Sequence, residues 1–285
     1  MVDKANIAAD TIKNNYDCCV AYYDEHLLEI SIEQRRLLGE FEPALQNDEF
    51  VMYLQPQVKR DGAAKGAEAL VRWVHPSRGI LTPYAFIDIL ENAGLIYKLD
   101  LYIWEKAAQK LAEWKEKGYG SYHISVNIST KDFYIIDIYE TFTGLINKYG
   151  IAASNLHLEI TETTLMTDFE KNMNIIHKLQ GVGFRVEIDD FGSGYSSLNM
   201  LKDISADVLK IDMGFLRKSE NEVKGQDILE SIITLAGKIG MDVITEGVET
   251  KKQLDMLTMM GCHEFQGYYF SKPVPVSEFE EKYLV

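Results

Sequence analysis

The sequence predicts an α/β protein, a (β/α)8 TIM-like barrel with an N-terminal helical extension. Three observations carry this. From residue 50 onward, eight β-type runs alternate with helix-period stretches over roughly 235 residues, the count and size of such a barrel. Four successive runs each pair an apolar face with a polar one. The chain has 285 residues, 46% of them hydrophobic, enough to bury a full core without staples and too apolar for a disordered chain.

Residues 1–45 are polar and helical in tendency, Ser31–Leu45 especially, and form the N-terminal extension, either a cap on the barrel or the tail of an upstream domain. Residues 46–285 make the barrel. Its β-type runs are Val51–Val58, Ala67–Trp73, His123–Ile128, Leu156–Ile160, Phe184–Ile188, Val208–Ile211 and Val243–Thr245, with a weaker one near Phe265–Tyr268. Between them, Leu165, Phe169, Met173 and Ile176 form one apolar stripe at helical spacing, and Ile228, Ile232, Leu235 and Ile239 another. A doubly wound open sheet is the rival. Against it, no G-x-G-x-x-G follows the first strand, and Gly192-Ser193-Gly194 lacks the remaining spacing.

Strand parity assigns the faces. Ile124, Val126 and Ile128 alternate with His123, Ser125 and Asn127; Leu156, Leu158 and Ile160 with His157 and Glu159. Phe184, Val186 and Ile188 alternate with Arg185, Glu187 and Asp189; Leu209 and Ile211 with Lys210 and Asp212. The apolar set belongs outside, under the helices, so the polar set points into the barrel. Buried polar groups in such numbers must be paired, hydrated or bound to metal. The last polar residue of each strand falls at its C-terminal end, where barrels of this kind carry catalysis.

Composition narrows the function. Forty-four Asp plus Glu against 29 Lys plus Arg give a net charge of −15, which disfavours a nucleic-acid polymer as partner but allows a phosphate substrate held through metals. Three cysteines, Cys18, Cys19 and Cys262, do not make a disulfide framework, and no Cys/His spacing suggests zinc. The N-terminus is not a signal peptide, and no run of about 20 apolar residues could span a membrane. A reduced, cytoplasmic setting fits best, with the chain as the cytoplasmic part of a larger protein.

The polar strand-end residues are Glu68, Asn127, Glu159, Asp189 with Asp190, Lys210 and Glu246. An oxygen-rich set of this kind suits Mg2+ or Mn2+ rather than zinc or copper. Adjacent aspartates at a strand end can serve two ions, the usual clamp for in-line attack of water on a phosphodiester. His75, His123, His157, His177 and His263 show no ligand spacing and read as structural or surface residues. Asp212 shares the face of Lys210 and is expected to pair with it.

These residues carry a family resemblance. Glu68-Ala69-Leu70-Val71-Arg72-Trp73 resembles the signature of EAL-domain cyclic di-GMP phosphodiesterases. The rest of the pattern follows in order: Gln55-Pro56, His75-Pro76, Val126-Asn127-Ile128-Ser129, Leu158-Glu159-Ile160-Thr161-Glu162, Asp189-Asp190-Phe191-Gly192-Ser193-Gly194, Lys210-Ile211-Asp212, Glu246-Gly247-Val248-Glu249-Thr250 and Gln266-Gly267-Tyr268. The match covers roughly residues 45–280. It implies hydrolysis of cyclic di-GMP to linear 5′-pGpG with two Mg2+ or Mn2+ ions. It assigns Glu68, Asn127, Glu159 and Asp189 to the first ion, and Asp189, Asp190 and Glu246 to the second ion or its water. Lys210 and Glu246 serve the attacking water, and Glu162 and Glu249 support the site. Gln55, Glu68, the backbone beside Leu70, Arg72 and Gln266 lie where the family grips substrate. Family members commonly form homodimers near the loop after Asp190. Ala9–Tyr23 resembles the end of a GGDEF-type cyclase domain.

The chain departs from the pattern at Ser193, where threonine is usual, and at Leu54, where an aromatic is common. Thr245 replaces a common alanine, and Glu187 stands where a small or apolar residue is common. None of these removes a metal ligand. Two other functions compete with the enzyme. One is a catalytically silent cyclic di-GMP receptor. The other is a barrel glycosidase using two carboxylates such as Glu159 and Glu246, which predicts metal-independent sugar hydrolysis.

Overall fold

The computed structural model describes residues 4–5, 8–9, 20–191, 204–214 and 222–284. Cys18, Cys19 and the segment Gly192–Ser197, on which sequence features and the expected dimer contact fall, lie outside the described residues. The chain divides into two compact units, one of residues 1–50 and 73–95 and one of residues 51–72 and 96–285.

In the first unit a helix runs over Glu25–Gln46, started by Asp24, whose Oδ1 accepts from the Leu27 amide at 2.8 Å. It buries Leu37, Phe41 and Ala44, one stripe at helical spacing, and packs on a helix over Ile87–Ala93. Phe41, Phe50, Trp73 and Phe86 are all 1% exposed or less and form an aromatic core around Phe50, with ring centroids 4.8–5.7 Å apart. Trp73 donates through Nε1 to Glu49 at 2.9 Å, which satisfies its one polar atom.

The second unit is the barrel. Eight strands close a ring: β1 (Phe50–Lys59), β2 (Ala64–His75), β4 (His123–Ile128), β5 (Leu156–Thr161), β6 (Val186–Asp189), β7 (Val208–Asp212), β8 (Asp242–Glu246) and β9 (Glu264–Phe265), with β1 pairing to both β2 and β9. The short β3 (Gly79–Leu81) pairs with the end of β2, and β10 (Val274–Pro275) with β1. All eight expected runs are strands, and the weakest in sequence is the two-residue β9.

One feature differs from a uniform (β/α)8 repeat. No helix separates β1 from β2, because a tight turn closes them instead, with Lys59 donating to the Ala63 carbonyl at 3.0 Å and Gly62 at φ 85. β1 therefore runs antiparallel to β9, while β2 and β4 through β9 are parallel. Four turn residues, 60–63, cannot hold the crossover a parallel pair needs.

Parity holds on β4 to β7. Ile124, Val126, Leu156, Leu158, Ile160, Val186 and Leu209 are all 0% exposed. The helix Ile96–Glu116 covers β4 with Leu99, Trp104, Ala107 and Leu111. Two helical stripes need correction. The stripe Leu165 to Ile176 is cut at Asp168 into helices Glu162–Thr167 and Phe169–Val182. In the helix Glu222–Lys238 the buried face is Leu229, Ile232, Ile233 and Ala236, while Ile228 is 48% exposed.

Candidate active site

Every expected site residue lies in the barrel unit. β2 carries Glu68, Leu70 and Arg72 on alternate positions, hence on one face. Asn127 and Glu159 are direct register partners on β4 and β5. Asp189 ends β6 beside Thr161, and Glu246 ends β8 beside Asp212. The Trp104 indole donates to the Asn127 carbonyl at 2.9 Å and fixes that strand end from outside.

The centre is Lys210, 0% exposed on β7. Its Nζ lies 2.7 Å from Glu159 Oε1, 2.8 Å from Glu246 Oε1, and 3.5 Å from both Glu68 Oε2 and Asp189 Oδ1. Asp212, expected as its partner, is exposed and accepts from the Gly214 amide instead. Four carboxylates from β2, β5, β6 and β8 thus meet one ammonium. Glu68 is held further by Asn127 Nδ2 (3.2 Å to Oε1) and by Gln266 Nε2 on its Oε2. Gln266 also donates to Gln55 Oε1 at 3.3 Å, and Gln55 donates to the Ser271 carbonyl at 3.3 Å. Gln266 owes its position to the next residue: a Cβ on Gly267 would meet the Val248 carbonyl oxygen at 2.2 Å, so only glycine fits.

Charge is unbalanced here. Burial pushes the Glu159 and Glu246 carboxyls well above their usual range, and neighbouring carboxylates add to this against the pull of Lys210. Burial drags the Lys210 ammonium down, but Asp189, Glu159, Glu246 and Glu68 outweigh it and hold the lysine well above its usual value. Asp190 lies at the rim at φ 55, where partial desolvation of its carboxyl and the neighbouring Asp189 carboxylate raise it. A non-glycine residue with positive φ beside such a cluster is strain of the kind found at functional sites. Both Glu159 oxygens and Asp189 Oδ1 are buried without an aligned hydrogen bond. A partnerless Glu159 Oε2, and five carboxylates and one amide against a single ammonium, are the donor set a hard divalent cation needs. The residues present therefore fit Mg2+ or Mn2+.

The remaining expected residues sit around this centre. Arg72 is half-buried, with its guanidinium 5.5 Å from the Tyr53 ring centroid and Nη1 donating to the Val71 carbonyl at 2.8 Å. Leu70 is half-buried between Glu68 and Arg72. Leu54 is fully buried on the strand face opposite Gln55, so it faces the core. Glu162 is 8% exposed at the start of its helix, with Thr161 as the cap. Glu249 is exposed and precedes a helix over Lys251–Met259, where Thr250 and Gln253 form a capping box.

A second polar layer lies along the barrel axis. His123 donates to Gln57 Oε1 (2.6 Å), Gln57 to Ser125 Oγ (3.4 Å), and Ser125 to Glu187 Oε1 (3.2 Å); His157 donates to the same Glu187 oxygen (2.5 Å). Histidines 123 and 157 are core residues, 9% and 4% exposed. Parity places them inward, but only the fold reveals their convergence. No described helix is long and apolar enough to cross a membrane.

Comparison with known proteins agrees with this geometry. The family model of the EAL domain matches residues 39–273. The chain is 32% identical over 272 residues to the bifunctional diguanylate cyclase/cyclic di-GMP phosphodiesterase MucR of Pseudomonas aeruginosa, covering 95% of this chain and 39% of MucR. It is 33% identical over 240 residues to the cyclic di-GMP phosphodiesterase PdeR of Escherichia coli, covering 84% of this chain and 36% of PdeR. The chain thus spans less than half the length of these curated relatives. Among solved structures, the PaMucR phosphodiesterase in complex with c-di-GMP superimposes with a TM-score of 0.81 at 33% identity, over 86% of this chain and 99% of that one.

Proposed function

The chain belongs to the EAL domain family, and from that premise we propose that it is a metal-dependent phosphodiesterase that hydrolyses cyclic di-GMP to linear 5′-pGpG in bacterial second-messenger signalling. The observation that carries this reading is the convergence of Glu68, Glu159, Asp189 and Glu246 on the buried Lys210 ammonium. Glu68, Asn127, Glu159 and Asp189 would hold one Mg2+ or Mn2+ ion, and Asp189, Asp190 and Glu246 a second. Bound there, the ions supply positive charge to the phosphate and lower the pKa of the attacking water, so no histidine base is required.

The chain's own side chains do the rest. Lys210 keeps its proton under four carboxylates, so its N–H donors can orient the attacking water. Glu246, 2.8 Å from the same ammonium, would serve the same water. Arg72 offers a fork of donors matched to a phosphate, steadied by the Tyr53 ring. Gln55, Gln266 and the backbone at Leu70 line the substrate floor. Glu162 and Glu249 support the strand ends after β5 and β8. We further propose a homodimer acting in the cytoplasm; sedimentation of the purified chain at twice its monomer mass is the expected result.

The deciding measurement is nucleotide turnover. Cyclic di-GMP should give 5′-pGpG with Mg2+ or Mn2+, and EDTA should abolish product until the ion is returned. Substrate binding without any linear product would leave the receptor reading in its place.

A pH dependence follows from the raised carboxyls. Glu159 and Glu246 must lose their protons to ligate an ion, and their folded-state pKa values lie above the usual range. Ion affinity therefore rises with pH through that raised range. The gain in Tm on adding Mn2+ should grow as pH is raised above the ordinary carboxylate range. A gain independent of pH would argue against these two ligands.

A further inference from the structure

The second polar layer holds groups that the proposed hydrolysis does not use. His123 on β4, His157 on β5 and Glu187 on β6 each bring one ligand atom to within 4.8 Å of the others. All three are buried, Glu187 at 0%. They face a cavity of about 450 Å³ at the N-terminal end of the strands, away from the Lys210 cluster and lined also by Lys65, Arg185, Asp242 and Glu264. Those four rim charges pair with one another, Lys65 with Glu264 and Arg185 with Asp242. The two imidazoles and the carboxylate are left as the donors inside.

Two details mark the cluster as built to receive a ligand. Glu187 Oε2 is buried with no hydrogen-bond partner, although Oε1 accepts from both Ser125 and His157. An orphaned buried carboxylate oxygen in a native interior requires an explanation, and an unoccupied ligand role is one. The imidazoles also lie face to face, centroids 3.8 Å apart and planes at 3°, in space that Gly66 leaves open: a Cβ there would sit 2.4 Å from the His123 ring. Burial pushes the His123 imidazolium well down, so the ring is neutral and offers a lone pair.

We infer that His123, His157 and Glu187 form a second metal centre, suited to Zn2+ over Mg2+, at the end of the barrel opposite the phosphodiesterase site. Two imidazoles and one carboxylate with a fourth position open toward a cavity suit zinc, whereas the oxygen-only cluster above suits magnesium. Binding exchanges the His157–Glu187 hydrogen bond for bonds to the ion. Binding also turns the stacked rings apart, so that their in-plane lone pairs converge on the ion at tetrahedral spacing. The Gln57 contact to His123 then supplies the outer hydrogen bond that fixes a ligating imidazole.

The test uses the untagged full chain with millimolar Mg2+ present and micromolar Zn2+ added. Zinc-edge absorption should report imidazole scattering. A crystal soaked in zinc should give an anomalous peak between His123, His157 and Glu187. His157→Gln and Glu187→Gln should each weaken zinc binding by at least about tenfold. Undiminished zinc binding in folded His157→Gln, or anomalous peaks only at the carboxylate cluster or at surface histidines, would overturn the inference. If both variants fail to fold, the soak of the unaltered chain decides alone. No result here bears on turnover of cyclic di-GMP, which depends on other residues.

Discussion

Glu68→Ala should abolish cyclic di-GMP turnover, by at least about 1,000-fold, while the barrel stays folded. The carboxylate is 7% exposed and works at one point: Oε1 takes the Asn127 amide, Oε2 takes Gln266, and Lys210 lies 3.5 Å away. Truncation removes a proposed metal ligand and leaves Asn127 and Gln266 each with a donor unmet, a penalty of about 1–3 kcal/mol that a core of this size withstands. Circular dichroism should match the parent, and product should be undetectable at any Mn2+ concentration. Turnover near the parent's in this variant would remove Glu68 from the metal site.

Lys210→Ala should strike both chemistry and stability. For chemistry, turnover should fall far more than substrate affinity, because the role proposed for the ammonium is to orient the attacking water; a rise in KM at unchanged kcat would contradict that role. For stability, the ammonium is fully buried and answers four carboxylates. Removing one partner from a buried ion cluster costs about 3–5 kcal/mol. The metal-free variant should therefore melt roughly 6–20 °C below the parent. Mn2+ should restore much of the loss, since it answers the same oxygens. Lys210→Met, which keeps the apolar stem, separates lost packing from lost charge.

Much of the site was legible because a strand has period two. Alternation alone put Asn127, Glu159, Asp189 and Lys210 on inward faces, and their places at strand ends suggested the catalytic mouth. Pairing was not legible. Asp212 is two residues from Lys210 in sequence, yet it ends its strand in solvent, while the true partners come from β2, β5, β6 and β8. Linear spacing carries no information on contacts made across a closed barrel. The same blindness hid the lower layer, since His123, His157 and Glu187 sit on three strands at separations that match no ligand motif. The reversed first strand was missed for another reason. Its run is as β-like as the others, and only the four residues of the following turn reveal that it cannot be followed by a crossover helix. The helix Glu222–Lys238 was placed but its face was misphased, because Ile228 fits an apolar stripe that the fold turns toward water.

The two stacked polar layers leave the barrel axis with little oily filling. Cohesion must then come from the annulus between strands and helices, where Trp104, Phe142, Phe184, Ile124 and Leu158 are sealed from water. Such a scaffold separates its duties radially. Exchanges along the axis alter which ions and phosphates are handled, and exchanges in the surrounding sleeve decide whether there is a barrel to hold them. A lineage could therefore revise its chemistry repeatedly without renegotiating its architecture.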